Sequence, residues 1–107
     1  MAGFSTYLAQ MVINHFVRRS AQSVPAGTHL ALFVADPTDN NITTNEVSAP
    51  WYSRQDVSSW TAPIGTGTMT ANSNQIAFNA VTGSAVSVSH WGLYDAATGG
   101  NLLYSGP

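Results

Sequence analysis

The residues that could carry acid–base or metal chemistry are few and widely separated in this chain of 107 residues. The three histidines are His15, His29 and His90, and no two of them have the His-x-x-x-His spacing that places two imidazoles on one face of a helix. The sequence contains no cysteine, which excludes disulfides and thiolate metal ligands, and no lysine, which excludes Schiff-base chemistry and the phosphate-binding lysine of a P-loop. We therefore expect no enzymatic activity, no metal and no cofactor.

Two short motifs resemble catalytic or phosphate-binding sequences but lack their essential residues. The run Gly65-Thr66-Gly67-Thr68 looks like a phosphate-binding loop, but Thr70 stands where a dinucleotide motif has its third glycine. Asp36 and Asp39 flank Pro37, a pattern typical of aspartates that fix a turn through hydrogen bonds to the backbone rather than of a paired acid and base. Both motifs are interpreted as connecting segments.

Glu46 and Arg54 are the charged residues most able to act together. They straddle the corner at Ala49-Pro50-Trp51, so we expect an ion pair that fixes the geometry of this corner. The aromatic side chains could form a sugar-binding platform or could pack in the core and between subunits, and the second interpretation is favoured. The predicted structural or interface residues are Glu46, Trp51, Tyr52, Arg54, Trp91, Leu102, Leu103 and Tyr104.

The composition indicates a neutral surface. Only 7% of the residues are charged and the net charge is −2, whereas roughly 25% are charged in an ordinary soluble domain. Such a surface can be buried against another copy without stripping water from ions, so we expect self-assembly. Arg18 and Arg19 are better explained as partners of the negative C-terminal dipole of the helix than as a phosphate-binding site. No run of apolar residues reaches the roughly 18 that a membrane span needs. We expect neither nucleic acid nor membrane as a partner.

The hydrophobic pattern predicts a single domain over 1–107 that is mainly β with one N-terminal α-helix. Apolar residues at helical spacing predict the helix over about 5–21, which ends before Val24-Pro25. Short alternating segments over about 28–107 are typical of a compact β-sandwich or small barrel. The predicted strands are 29–35, 51–60, 75–79 and a hairpin that joins 91–94 to 102–104, with Phe78 and Trp91 in the core. The apolar residues change faces near 90–91, which predicts either a bulge there or a strand that is buried on both sides.

Several motifs occur in the order found in a known family. They are Leu32-Phe33 before Asp36-Pro37-Thr38, Glu46-Val47-Ser48 before Tyr52-Ser53-Arg54-Gln55, the Asn-rich segment from Asn74 to Phe78, and the hairpin from His90 to Leu103. With these motifs the chain resembles a family of small tailed-bacteriophage virion structural proteins, often labelled tail-fibre-like and including capsid decoration, or cement, proteins. The resemblance covers nearly the whole length.

The resemblance implies a non-enzymatic structural protein on the surface of the phage virion, present in the host cytoplasm during assembly. The first interpretation is a capsid decoration protein that braces major capsid subunits, because the chain is small and compact and shows no shaft. The alternatives are a tail-fibre or baseplate module and, with less support, a carbohydrate-binding module. The implied partners are copies of the chain itself, as a trimer, and the major capsid protein, or alternatively tail or baseplate proteins.

Two departures from the family pattern affect the expected contacts. Relatives usually continue for further strands, so we expect the last strand, 102–105, to lack a partner within the chain and to pair with a neighbouring copy. The usual Gly-Gly before the Tyr-x-Arg-Gln segment is replaced by Ala49-Pro50-Trp51. This replacement predicts a stiffer corner.

Overall fold

The structure, a computed structural model that describes residues 3–107, consists of one antiparallel sheet and a short helix. In chain order the elements are β1 (Gly3–Phe4), α1 (Thr6–Val12), β2 (His29–Phe33), β3 (Gln55–Asp56), β4 (His90–Tyr94) and β5 (Leu102–Gly106). The strands lie side by side in the order β1-β5-β4-β2-β3. The predicted mainly β class with one N-terminal α-helix is confirmed, and all five named strands of the described residues belong to this one sheet.

The helix α1 begins at a capping side chain. The Ser5 hydroxyl accepts a hydrogen bond from the Leu8 N–H at 3.0 Å and also donates to the Leu102 carbonyl, which ties the start of the helix to β5. The α-helix ends at Val12 and continues as a π-helix over Ile13–Val17. The prediction of a helix to about residue 21 is therefore too long, because no residue of either helical segment is fully buried and packing does not extend it.

The C-terminal hairpin forms where the sequence predicts it, as β4 and β5 paired antiparallel. The chain reverses between them through Gly99 and Gly100, whose φ values of 61° and 74° are readily adopted by glycine. The register shifts between Leu93 and Tyr94, so the bulge that is one of the two alternatives near 90–91 is not found at that position. The irregularity therefore lies beside the turn.

Strand β5 lies inside the sheet and not at its edge. It pairs with β4 on one side and with β1 on the other, where Phe4 is opposite Tyr104. The Ser5 N–H continues this pairing by donating to the Leu103 carbonyl at 2.9 Å. The prediction that the last strand lacks a partner within the chain is wrong, because the residues before α1 occupy that edge.

Two other predicted strands differ from the structure. Of residues 51–60, only Gln55–Asp56 form a strand, and residues 75–79 form none. Residues 61–88 contain no helix or named strand, although an isolated bridge joins Trp60 to Asn72. Apolar and polar residues alternate over 75–79, but alternation alone does not form a strand without a neighbouring strand to pair with.

One face of the sheet carries the core. The fully buried cluster consists of Ala31, Phe33, Tyr94 and Leu102. Gly92 lies among these side chains, and a Cβ at this position would be only 3.0 Å from Leu102 Cδ1 and from Phe33 Cε1. The absence of a side chain at Gly92 therefore permits the close packing of its neighbours.

The prediction that Phe78 and Trp91 belong to this core is wrong, because both are only partly buried. Trp91 lies on the opposite face of the sheet, since successive residues of β4 alternate between the two faces and Gly92 and Tyr94 occupy the core side. Phe78 lies outside any strand and stacks on Tyr52, with ring centres 6.1 Å apart. Each contributes to a peripheral contact.

Candidate functional site

Glu46 and Arg54 form the ion pair that the sequence predicts. Arg54 Nε donates to Glu46 Oε2 and Arg54 Nη2 donates to Glu46 Oε1, each at 2.8 Å. This bidentate geometry is the strongest arrangement for an arginine–carboxylate pair. The side chains of Arg54 and Glu46 are only 5% and 17% exposed, so the pair is largely shielded from water.

Arg54 also holds the loop between β4 and β5. Its Nη1 donates to the carbonyl oxygens of Ala96 at 3.1 Å and Gly99 at 2.8 Å. Its Cζ lies 3.8 Å from the centre of the Tyr94 ring, within range of a cation–π interaction. The Tyr94 hydroxyl in turn donates to Asn41 Oδ1 at 2.5 Å. One side chain thus connects segments that are far apart in the sequence.

Tyr52 completes this group, which we call the arginine cluster and which consists of Glu46, Tyr52, Arg54 and Tyr94. The Tyr52 hydroxyl donates to Glu46 Oε2 at 2.5 Å and accepts a hydrogen bond from the Leu32 N–H at 3.3 Å. Leu32 belongs to β2, and β3 pairs only with the first two residues of that strand. The hydroxyl therefore satisfies a backbone donor that β3 does not reach.

Burial and hydrogen bonding set the charge states in the arginine cluster. Burial by itself raises the pKa of Glu46, but the hydrogen bonds from Arg54 and Tyr52 and the Arg54 charge outweigh it, so the pKa lies below the ordinary 4.5. Burial by itself lowers the pKa of Arg54, but Glu46 more than compensates and the pKa is raised. Burial raises the pKa of Tyr94 to about 12. The carboxylate and the guanidinium both stay charged at neutral pH.

The arginine cluster is arranged to fix loops rather than to move protons. Both oxygens of Glu46 and all three guanidinium nitrogens of Arg54 are engaged in hydrogen bonds.

Among residues 3–107 there is no group of three His, Cys, Asp or Glu side chains that could hold a metal ion. The same residues include no helix that is long and apolar enough to cross a membrane.

The sheet face opposite the core carries a continuous apolar surface. Residues that are directly paired on neighbouring strands share a face, so the strand register identifies the side chains of this surface. The six apolar side chains of this face, which we call the open face, are Phe4, Leu30, Leu32, Trp91, Leu93 and Tyr104; the polar Gln55, paired with Leu30, borders them on β3. None of the six is fully buried, and Phe4 and Tyr104 are 53% and 38% exposed.

Tyr104 contacts two other aromatic rings of the open face. Trp91 stacks on Tyr104 with ring centres 5.7 Å apart, and Phe4 meets Tyr104 edge-on at 5.8 Å. The Trp91 indole lies against Gly106, where a Cβ would be 2.8 Å from Cζ2. Since none of the six residues is charged, an apolar partner could cover this face without displacing water from an ion.

The eight predicted site residues fall in three places. Glu46, Tyr52 and Arg54 lie in the arginine cluster, Trp91 and Tyr104 lie on the open face, and Trp51, Leu102 and Leu103 are buried. Leu102 and Leu103 therefore pack within this chain and are not free to contact a neighbouring copy. The structure brings together the residues within each of the first two groups and places the two groups on opposite faces of the sheet.

Sequence reasoning misses three residues of these sites. The alternation of side chains along β4 places Gly92 and Tyr94 on one face, a signal that could have assigned Tyr94 to the core side. No local pattern links Asn41 to Tyr94, 53 residues away. Phe4 joins the open face only through its pairing with β5, which is a nonlocal contact.

The comparisons with known proteins bear on the whole described chain. A family model described as podophage GP4 fiber I protein gp80 matches residues 3–107, a range that includes both the arginine cluster and the open face. A search of curated proteins gave no match. The family description favours the tail-fibre alternative over the capsid decoration protein that the sequence analysis places first. The chain belongs to the family of the podophage GP4 fiber I protein gp80 and is a structural protein of a phage virion.

Proposed function

We propose that the chain is a subunit of a fibre attached to the tail of the phage particle. The observation that carries this proposal is the match of a fibre protein family to residues 3–107. A capsid decoration protein would also be small and poorly charged, so composition alone does not separate the two functions. The family description supports the fibre, because it refers to one.

A mechanical role without catalysis fits the arginine cluster. The buried charges of Glu46 and Arg54 neutralise each other, and backbone carbonyls and Tyr52 satisfy their remaining hydrogen bonds. A substrate that displaced either partner would leave a buried charge unpaired, at a cost of about 3–5 kcal/mol. We infer that the cluster stiffens the corner before β3 and the loop between β4 and β5, and that the chain has no enzymatic activity.

The proposed fibre contains several copies of the chain, as a trimer, and contacts tail or baseplate proteins. The apolar open face and the low fraction of charged residues, 7%, support self-association. Arg18 and Arg19 are exposed, but two arginines in a chain of net charge −2 do not form the basic surface that phosphate binding requires. Nucleic acid and membrane are therefore not proposed as partners.

The proposed location can be tested on purified virions. We expect cryo-electron microscopy, or immunogold labelling with an antibody against the chain, to place it at the tail. An antibody preabsorbed with the purified chain is the matched control. Density spread over the capsid lattice would support a decoration protein instead, and absence from the virion would reject both functions.

A further inference from the structure

The chain exposes more surface than a self-contained domain of its size. Its accessible surface is 6975 Å², whereas a folded monomer of 11.3 kDa exposes about 5,700 Å². The excess of roughly 1,200 Å² exceeds the about 800 Å² that each partner buries in a standard protein interface. Its radius of gyration of 14.9 Å is likewise larger than the roughly 13 Å of a compact domain of about 100 residues. The surplus surface is large enough for a stable interface.

Most of residues 61–88, which we call the arm, are exposed. None of its residues is fully buried, and its large apolar side chains include Ile64, Met69 and Val81, which are 87%, 81% and 55% exposed. The arm contains no charged residue and no histidine. An exposed segment of this composition loses little by leaving water, because no ion must be desolvated.

The arm has the residue pattern of a strand but no strand to pair with. Ile76 and Phe78 alternate with polar or small residues, and so do Val86 and Val88. This period of two is typical of an extended segment with one apolar side, yet no named strand of residues 3–107 includes any part of the arm. Phe78 stacks on Tyr52 of the same chain, but Ile64, Met69 and Val81 remain exposed, so the arm has apolar surface that a second copy could cover.

The open face offers such a surface. It is apolar and uncharged, and it crosses the sheet from Phe4 on β1 to Leu30 on β2. We propose that the arm of one copy lies across the open face of a second copy. The inference rests on the proposed function, in which a fibre is built from several copies, and it names the contact that joins them.

The helical segment is a weaker candidate for the same position. Phe16 and Val17 are 72% and 75% exposed, but Arg18 and Arg19 follow them directly. Placing this segment on an apolar face would bring two cations close to it, with no acidic residue among the six side chains of the open face to pair with them. The uncharged arm avoids this cost.

Single cysteines can test the contact, because the chain contains none of its own. Tyr104→Cys marks the open face, and Ile64→Cys, Met69→Cys and Val81→Cys mark the arm. Each arm variant, with a tag that changes its mass, is mixed with the Tyr104→Cys protein and oxidised. The matched control is Val17→Cys, which is as exposed but lies in the helical segment.

We expect at least one arm variant to form the mixed disulfide with Tyr104→Cys about tenfold faster than Val17→Cys does. Equal or slower cross-linking by all three arm variants would overturn the proposal. Ile64→Asp provides a second measurement, since it places a charge in the arm and should weaken association about tenfold or more in analytical ultracentrifugation. Unchanged association of Ile64→Asp, or a wild-type chain that remains monomeric, would also contradict the contact. Neither result affects the tail location, which is tested separately on virions.

Discussion

The arginine cluster and the arm represent opposite ways of using polar and apolar residues. In the arginine cluster, two charges and two tyrosines are held by partners from distant parts of the same chain. In the arm there is no charge, and apolar side chains such as Ile64 and Met69 remain more than four-fifths exposed. The first region is complete within one chain, whereas the second has apolar surface that the chain does not cover.

The difference shows which contacts fix the geometry of a chain with so few charges and which contacts suit association with another copy. A bidentate ion pair fixes direction and distance, so one arginine can set the relative positions of a corner and a hairpin loop. Apolar contact is nondirectional and grows with area, which suits a long surface that meets another copy. Substitutions in the two regions should therefore alter different properties of the protein.

The largest loss of stability is expected for Arg54→Met. The substitution leaves the largely buried Glu46 carboxylate without its cation and releases the carbonyls of Ala96 and Gly99, so the free energy of unfolding should fall by about 3–5 kcal/mol. Urea unfolding measures the change. Arg18→Met, at an exposed arginine, is the control and should change stability by less than about 0.5 kcal/mol. Equal effects of the two variants would show that the cluster does not hold the fold.

A smaller loss is expected for Gly92→Ala in the core beneath the cluster. The new Cβ would lie 3.0 Å from Leu102 Cδ1 and Phe33 Cε1, and both neighbours are fully buried, so shifting them disturbs the core around them. Overpacking of this kind costs about 1–3 kcal/mol. Gly27→Ala is the matched control, because its nearest atom would be 3.4 Å away, an ordinary contact. Thermal unfolding that gave both variants the same melting temperature would contradict the packing described.

Acid should weaken the arginine cluster and leave the arm unaffected. The folded chain lowers the pKa of Glu46, so the carboxylate contributes stability that is present above the unfolded value of 4.5 and is lost as the pH falls through the lower folded pKa. Urea unfolding between pH 7 and pH 3 measures this loss. In Glu46→Gln, the loss of stability in acid that is due to the Glu46 carboxylate should disappear. If stability depended on pH in the same way in that variant, Glu46 would be excluded as the cause of the loss.

The smallest effect on the stability of the single chain is expected in the arm. Ile64→Ser removes a side chain that is 87% exposed, so the free energy of unfolding of dilute, dissociated protein should change by no more than about 0.5 kcal/mol. Association, measured on the same protein at high concentration, should weaken. A loss above about 1 kcal/mol in the dilute protein would mean that Ile64 packs within its own chain.

The sequence predicts those features that depend on neighbouring residues. Glycines after Tyr94 permit the turn of the hairpin, the run from His29 to Phe33 has strand composition, and Glu46 and Arg54 are eight residues apart across one corner. Turn conformations and side-chain alternation are local properties, so short segments suffice to identify them. The same reasoning assigns a strand to 75–79, where the alternation is present but its partner is not.

The sequence by itself determined the mainly β class, the hairpin, the ion pair and the absence of charge from the arm. Only the tertiary structure decided that β5 lies between β4 and β1, that Leu102 and Leu103 are buried, and that Arg54 reaches the hairpin loop. These features depend on contacts between residues far apart in the chain. Closing the loops between these residues costs conformational entropy, which packing and hydrogen bonds between distant residues must offset. No local sequence pattern contains those contacts.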